Sequence, residues 1–221
     1  MKKVSTARRR ITTAATIAIA QFAGIKGALA ELMATPAQMR GPFYPVTLPL
    51  DRDNDLTTVA GASGSAHGTI TDVAGRILDA EGRPVAGVKI EIWQVNGYGR
   101  YHHPDDDSDQ PLDPNFQGYG ETVSNADGAY RFRTVKPIAY PGRAPHIHFA
   151  LTGRGFGPFY TQMYLAGAPE NAGDFLLRGI SDRKARAALI VPLERSPNAG
   201  SELAGQFDIV LGSALLSRQR P

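Results

Sequence analysis

From residue 66 the chain runs in short stretches of alternating apolar and polar residues, broken by glycine and proline about 8–12 residues apart. Alternation with a period of two buries one face of a strand and leaves the other to water. Repeated at this spacing, it predicts an all-β sandwich. The runs place strands at 68–78, 88–94, 129–134, 146–152, 161–164, 188–193 and 206–211. Asp79-Ala80-Glu81-Gly82 and Asn125-Ala126-Asp127-Gly128 read as hairpin turns, with glycine where a positive φ is wanted. Residues 97–122 read as one long loop, and its acid run Asp105-Asp106-Asp107 reads as solvated surface. Helical texture is sparse, with at most a turn or so within 180–188.

Ahead of the sandwich the pattern changes twice. Residues 31–65 carry Pro36, Pro42, Pro45 and Pro49 and then small polar residues, which predicts an irregular arm. Residues 1–30 hold Lys2, Lys3, Arg8, Arg9, Arg10 and Lys26 with no acid, then a modestly apolar stretch closing on Ala28-Leu29-Ala30. This is the layout of an export signal, and the adjacent arginines before a weakly apolar run suggest the twin-arginine kind, hence a periplasmic or extracellular destination. Gln21 and Lys26 interrupt the stretch, so no stable membrane insertion is expected. The leader also distorts the charge balance. The 24 basic side chains less those six leave 18 against 21 acidic ones, a formal −3, so nothing points to a nucleic-acid partner. With no cysteine, disulfides, thiolate metal sites and a cysteine nucleophile are excluded.

The candidate chemistry centres on Pro145-His146-Ile147-His148-Phe149. Two imidazoles at i and i+2 of a strand share a face, so one metal ion can take both if that face looks into a pocket. An isolated His-x-His is commonly a pair of ordinary strand histidines. Tyr140 stands six residues before His146, and Tyr101 lies further upstream in Gly99-Arg100-Tyr101-His102. Two imidazoles and two phenols with no thiol form a hard donor set that suits ferric iron better than copper(I) or a zinc–thiolate site.

Further motifs extend this along most of the chain: Gly41-Pro42-Phe43-Tyr44-Pro45, Asp53-Asn54-Asp55-Leu56, Glu91-Ile92-Trp93-Gln94-Val95-Asn96, Pro111-Leu112-Asp113-Pro114-Asn115-Phe116, Tyr130-Arg131-Phe132-Arg133 and Gln162-Met163-Tyr164. In this order they resemble the intradiol ring-cleavage dioxygenase family, nearest its protocatechuate 3,4-dioxygenase beta-chain branch, over roughly residues 40–212. The resemblance implies a prealbumin-like β-sandwich and one non-haem Fe(III) per chain held by Tyr101, Tyr140, His146 and His148. Tyr140 matches the axial tyrosine that yields its place to the substrate. Arg143 matches the arginine that stabilises charge on the substrate, and Gln162 a polar neighbour of the O2 and substrate site. Pro42 and Tyr44 match a motif lining the substrate cavity. The implied partners are O2 and a catechol such as a 3,4-dihydroxybenzoate, opened between its hydroxyls to a cis,cis-muconate. A homo-oligomer or a related partner chain is left open.

Two features depart from the family. Only Pro141-Gly142-Arg143-Ala144-Pro145 separates Tyr140 from His146, where known members carry a longer insertion walling the pocket, so a more open site is expected. The long helical N-terminal segment of the catechol and hydroxyquinol branches is also missing. A competing reading takes the glycine-punctuated strands as a secreted, non-catalytic β-sandwich binding module. A zinc hydrolase on the same histidines ranks lower, because no acid flanks them.

Overall fold

A computed structural model describes residues 32–216; the expected export signal, 1–30, lies outside the described residues. Two five-stranded sheets make up the sandwich. In the first, β1 (Ile70–Asp79) pairs antiparallel with β4 (Ala129–Val135) on one edge; on the other it runs parallel to β9 (Leu203–Gln206) and β10 (Ile209–Leu211), with β8 (Glu194–Arg195) outside β9. In the second, the order is β3 (Tyr119–Val123), β2 (Lys89–Trp93), β5 (His146–Gly153), β6 (Phe156–Leu165) and β7 (Ile190–Val191). Val73, Ile77 and Phe132 of the first sheet meet Ile90, Ile92, Ile147, Phe149 and Met163 of the second in one buried core. Phe149 contacts Phe207 edge-on across the gap, at 5.1 Å between centroids.

Four expectations need correction. The predicted strand 206–211 is split, because Phe207 turns into the core and its carbonyl accepts the Tyr130 hydroxyl, which takes Phe207 and Asp208 out of the ladder. The predicted loop 97–122 ends early, since β3 begins at Tyr119 and pairs with β2; Gly120 masks its alternation by giving up a side chain where Leu56 packs. The turn Asn125–Gly128 forms, but it hands the chain from β3 in one sheet to β4 in the other and closes no two-strand hairpin within a sheet. Within the predicted strand 188–193 only Ile190–Val191 is extended. Helices α1 (Phe175–Arg178) and α2 (Arg183–Ala188) are capped by the side chains of Asp174 and Asp182.

The residues before β1 run across both sheets. Thr35 binds Val210 with backbone N–H and side-chain oxygen, Gln38 N–H donates to the Tyr160 carbonyl, and the Pro36 carbonyl accepts the Thr161 hydroxyl. The arm thereby lies over the outer face of the second sheet. Among the described residues no helix is long and apolar enough to cross a membrane.

Candidate metal centre

The outer face of the second sheet is set by strand register. Trp93, His148 and Gln162 stand opposite one another across β2, β5 and β6, and His146 stands opposite Tyr164. Because successive residues of β5 point to opposite sides, Ile147 and Phe149 enter the core while His146 and His148 enter the space under the arm. That space is closed: His146 and His148 are 1% and 2% exposed, and Tyr101 is 3% exposed. Trp93 belongs to this outer cluster and not to the sandwich core, stacking flat on His148 at 4.8 Å.

The tyrosines arrive on loops. Tyr101 is steered by Asn96, whose side-chain oxygen accepts the N–H groups of Tyr98 and Arg100, and by Asp106, which accepts the Tyr101 N–H at 2.7 Å. Asp105 and Asp107 are exposed as expected, but Asp106 is buried for this reason. Tyr140 opens a tight turn: Arg143 N–H donates to the Tyr140 carbonyl at 2.9 Å, and Gly142 takes φ +81°. Pro then Gly at the central positions is the type II signature, and it sets Tyr140 beside Arg143.

Tyr101 Oη lies 3.1 Å from His148 Nε2 and 3.4 Å from His146 Nε2, and the two nitrogens are 3.1 Å apart. Neighbouring ligands each about 2.1 Å from one first-row metal ion stand about 3.0–3.4 Å apart. Tyr140 packs edge-on against Tyr101 at 5.7 Å and lies 5.5 Å from the His146 ring. The proton count favours a cation. His146 Nδ1 faces the Ala144 carbonyl at 2.6 Å and donates to it, so its Nε2 is a bare lone pair. His148 Nδ1 is buried without a partner. With its proton on Nδ1, that N–H is wasted and two lone pairs face each other; with it on Nε2, a bare buried acceptor remains. In the Nδ1-protonated form the two bare Nε2 atoms face each other at 3.1 Å, and a cation between them turns that repulsion into ligation.

Electrostatics keep the unmetallated cluster neutral. Burial, with Arg143 adding to it, lowers His146 to about 3 and holds His148 well below the ordinary imidazole value. Burial pushes the Tyr101 phenol far up and raises Tyr140 as well, although Arg143 opposes the rise at Tyr140. Neutral imidazoles are ready ligands, and a strong cation is what displaces a phenolic proton. Among the described residues no trio of His, Cys, Asp and Glu could hold a metal ion, which removes the third protein ligand a zinc hydrolase needs. The donor set is completed by phenols, and it fits a hard trivalent cation.

Arg143 donates through Nη2 to Gln162 Oε1 at 2.6 Å and to Tyr164 Oη at 3.3 Å, and through Nε to Asp174 Oδ2 at 2.8 Å. Gln162 is fully buried and reaches Met39 of the arm. The two arm residues singled out in the sequence are placed differently. Pro42 is exposed. The Tyr44 hydroxyl donates to Glu91, and its ring stands edge-on to Trp93, so it braces the arm against the Trp93 that stacks on His148. Phe43, not singled out, stacks on Tyr101 at 4.6 Å, and a Cβ on Gly41 would stand 3.2 Å from His148 Cε1. His102 is exposed, whereas His103 is buried and 5.7 Å from the Phe43 ring. Phe43, Tyr98, Asp106, Ala139, Tyr140 and Pro141 contribute to the walls of a cavity of about 650 Å³ beside Tyr140. Asp174 and Phe43 were missed. An Asp ahead of Phe-Leu-Leu is a readable helix cap, but nothing local announces that its second oxygen meets Arg143.

Residues 39–213 match the model of the Dioxygenase family. The protocatechuate 3,4-dioxygenase beta chain of Burkholderia cepacia is 44% identical over 168 residues, covering 72% of this chain and 71% of its own. A catechol 1,2-dioxygenase of Acinetobacter baylyi (strain ATCC 33305 / BD413 / ADP1) is 30% identical over 164 residues, but the match covers 64% of this chain and only half of that enzyme. Among solved structures, the dioxygenase domain of a dioxygenase carbohydrate-binding protein fusion from Streptomyces sp. SirexAA-E superposes with a TM-score of 0.62 at 29% identity, covering 81% of this chain and 99% of that one. The chain belongs to the intradiol ring-cleavage dioxygenase family, enzymes of class EC 1.13.11. Within it, the chain stands near the protocatechuate 3,4-dioxygenase beta-chain branch.

Proposed function

We propose that this chain opens a catechol between its two hydroxyls with O2, using one ferric ion held by Tyr101, Tyr140, His146 and His148. The observation carrying this reading is the convergence of Tyr101 Oη and both Nε2 atoms within 3.4 Å of one another. Bound there, ferric iron would draw both catechol oxygens into its coordination and make the ring electron-rich enough for O2 to attack. The chain's own residues do the rest. Tyr140, half-buried between the cluster and the cavity beside it, would hold the metal as a phenolate and is placed to accept one of the two protons of a catechol entering from that cavity. Arg143, its Nε fixed to Asp174 and its Nη2 to Gln162, offers a preorganised positive charge to the oxygens of the bound ring. Phe43 and Trp93 hold Tyr101 and His148 from behind and exclude water.

The likeness to a protocatechuate 3,4-dioxygenase beta chain favours a 3,4-dihydroxybenzoate-like catechol and a cis,cis-muconate product. We further propose that residues 1–30 export the protein, which N-terminal sequencing of the secreted or periplasmic form would test. The purified holoprotein is expected to be burgundy from tyrosinate-to-iron charge transfer, to contain about one iron per chain, and to consume O2 with a catechol. A colourless iron-loaded protein refutes the ligation, and cleavage beside the diol refutes the intradiol mechanism.

A further inference from the structure

Asp174 stands at the start of α1, its side chain wholly buried. Its Oδ1 accepts the backbone N–H of Leu176 and of Leu177, each at 3.0 Å. Its Oδ2 accepts Arg143 Nε at 2.8 Å and Ala144 N–H at 3.0 Å. A carboxylate offers about four acceptor positions, so all of them are taken and Asp174 has no capacity left to act as a base or a ligand. Its four donors lead to different places. Two anchor it to the helix. The third is the guanidinium whose Nη2 reaches Gln162 and Tyr164. The fourth belongs to the peptide of Ala144, whose carbonyl receives His146 Nδ1 at 2.6 Å.

We propose that Asp174 is a positioning residue that sets Arg143 and His146 together, holding the guanidinium directly and the imidazole through the Ala144 residue. This rests on the reading of His146 as a ligand and Arg143 as the charge donor. The physical case is one of rigidity. A helix-capping carboxylate has no rotamer freedom left, and charge-assisted hydrogen bonds in a dry interior are short and directional. The helix end thereby becomes a fixed post against which both functional groups are aligned. Held by Asp174 at Nε, Arg143 keeps its Nη edge aimed inward at Gln162 and Tyr164, and a histidine held at Nδ1 presents Nε2 to the metal with its tautomer fixed.

Asp174→Asn keeps an oxygen for the helix cap but turns an amide N–H toward the Arg143 and Ala144 donors. Asp174→Ser keeps a cap and removes both contacts, and carries the test if the first variant does not fold. Three readouts apply: steady-state turnover of catechol, the same substitution in an Arg143→Ala background, and ring ¹⁵N NMR of His146 in the metal-free protein. Misplacing a catalytic group by about 1 Å costs about 100-fold. Turnover is therefore expected to fall about 10- to 100-fold with KM changed much less, and the same substitution to cost clearly less once Arg143 is gone, because the share acting through Arg143 is then already lost and only the share through His146 remains. The His146 ring, now Nδ1-protonated, is expected to become a mixture of tautomers. Losses that multiply in the double variant, or an unaltered His146 tautomer, would overturn the proposal and leave Asp174 a helix cap only. Failure of the wild type to open any catechol would sink the proposed function instead, while the NMR readout would still decide the role of Asp174.

Discussion

The two sheets share one core and differ in what lies on their outer faces. On β4 the outward residues, Arg131 and Arg133, reach solvent beside buried Tyr130, Phe132 and Thr134. On β5 the outward residues are His146, His148 and Ala150, and all are buried. Both strands show the same period, yet one is a one-sided strand and the other is buried on both sides. The difference comes from elsewhere in the sequence: the arm, the Tyr101 loop and the Tyr140 turn close over the outer face of the second sheet, whereas at the first the arm pairs with the backbone of β4 and β10 and leaves Arg131 in solvent. Apolar residues facing inward build the sandwich. Polar residues facing a covered outer surface, where water cannot satisfy them, build the site.

Substitutions on the two faces should therefore break different things. His148→Ala is expected to have the largest effect, abolishing colour and turnover while the protein stays folded; iron analysis and oxygen uptake check it, and a fully active variant would contradict the assignment. In the shared core, Phe132→Ala should cost about 3–5 kcal/mol of stability, seen as an earlier unfolding midpoint in urea, with the remaining folded protein still coloured. Arg143→Ala should keep the colour but lower kcat/KM by about 10²–10³, the scale of a lost charge-stabilising donor; an unchanged rate would remove Arg143 from the chemistry.

The smallest effect belongs to the outer side of the first sheet. Asp72 accepts Arg131 Nη2 at 2.9 Å and Asn198 Nδ2 at 2.7 Å. Burial alone would raise its carboxyl, but those hydrogen bonds outweigh burial and hold it below the usual carboxylate value. Since the folded value lies below the unfolded one, the contribution is present above about pH 4 and lost as the pH falls through the folded value. Arg131→Ala should cost no more than about 1 kcal/mol, because the arginine is 52% exposed. Measured by urea melts, the deficit should shrink on acidification below pH 4, with turnover at neutral pH untouched.

Much of this was legible in the residue order. The alternation of β4 follows from period-two burial, and Pro141-Gly142 alone specifies the turn that puts Tyr140 next to Arg143. The spacing of His146 and His148 fixes that they share a face. Where alternation was interrupted the reading was poorer: Gly120 hid β3, and Phe207 broke a strand that looked continuous. The sequence could not say which face of β5 would be covered, nor that Phe43 and not Tyr44 would meet Tyr101, nor that Asp174 would reach back 31 residues to Arg143. Periodicity is local and records only which residues share a side. Whether that side becomes a site depends on contacts between segments far apart in the chain, and those exist only once the sandwich has closed and the arm lies across it.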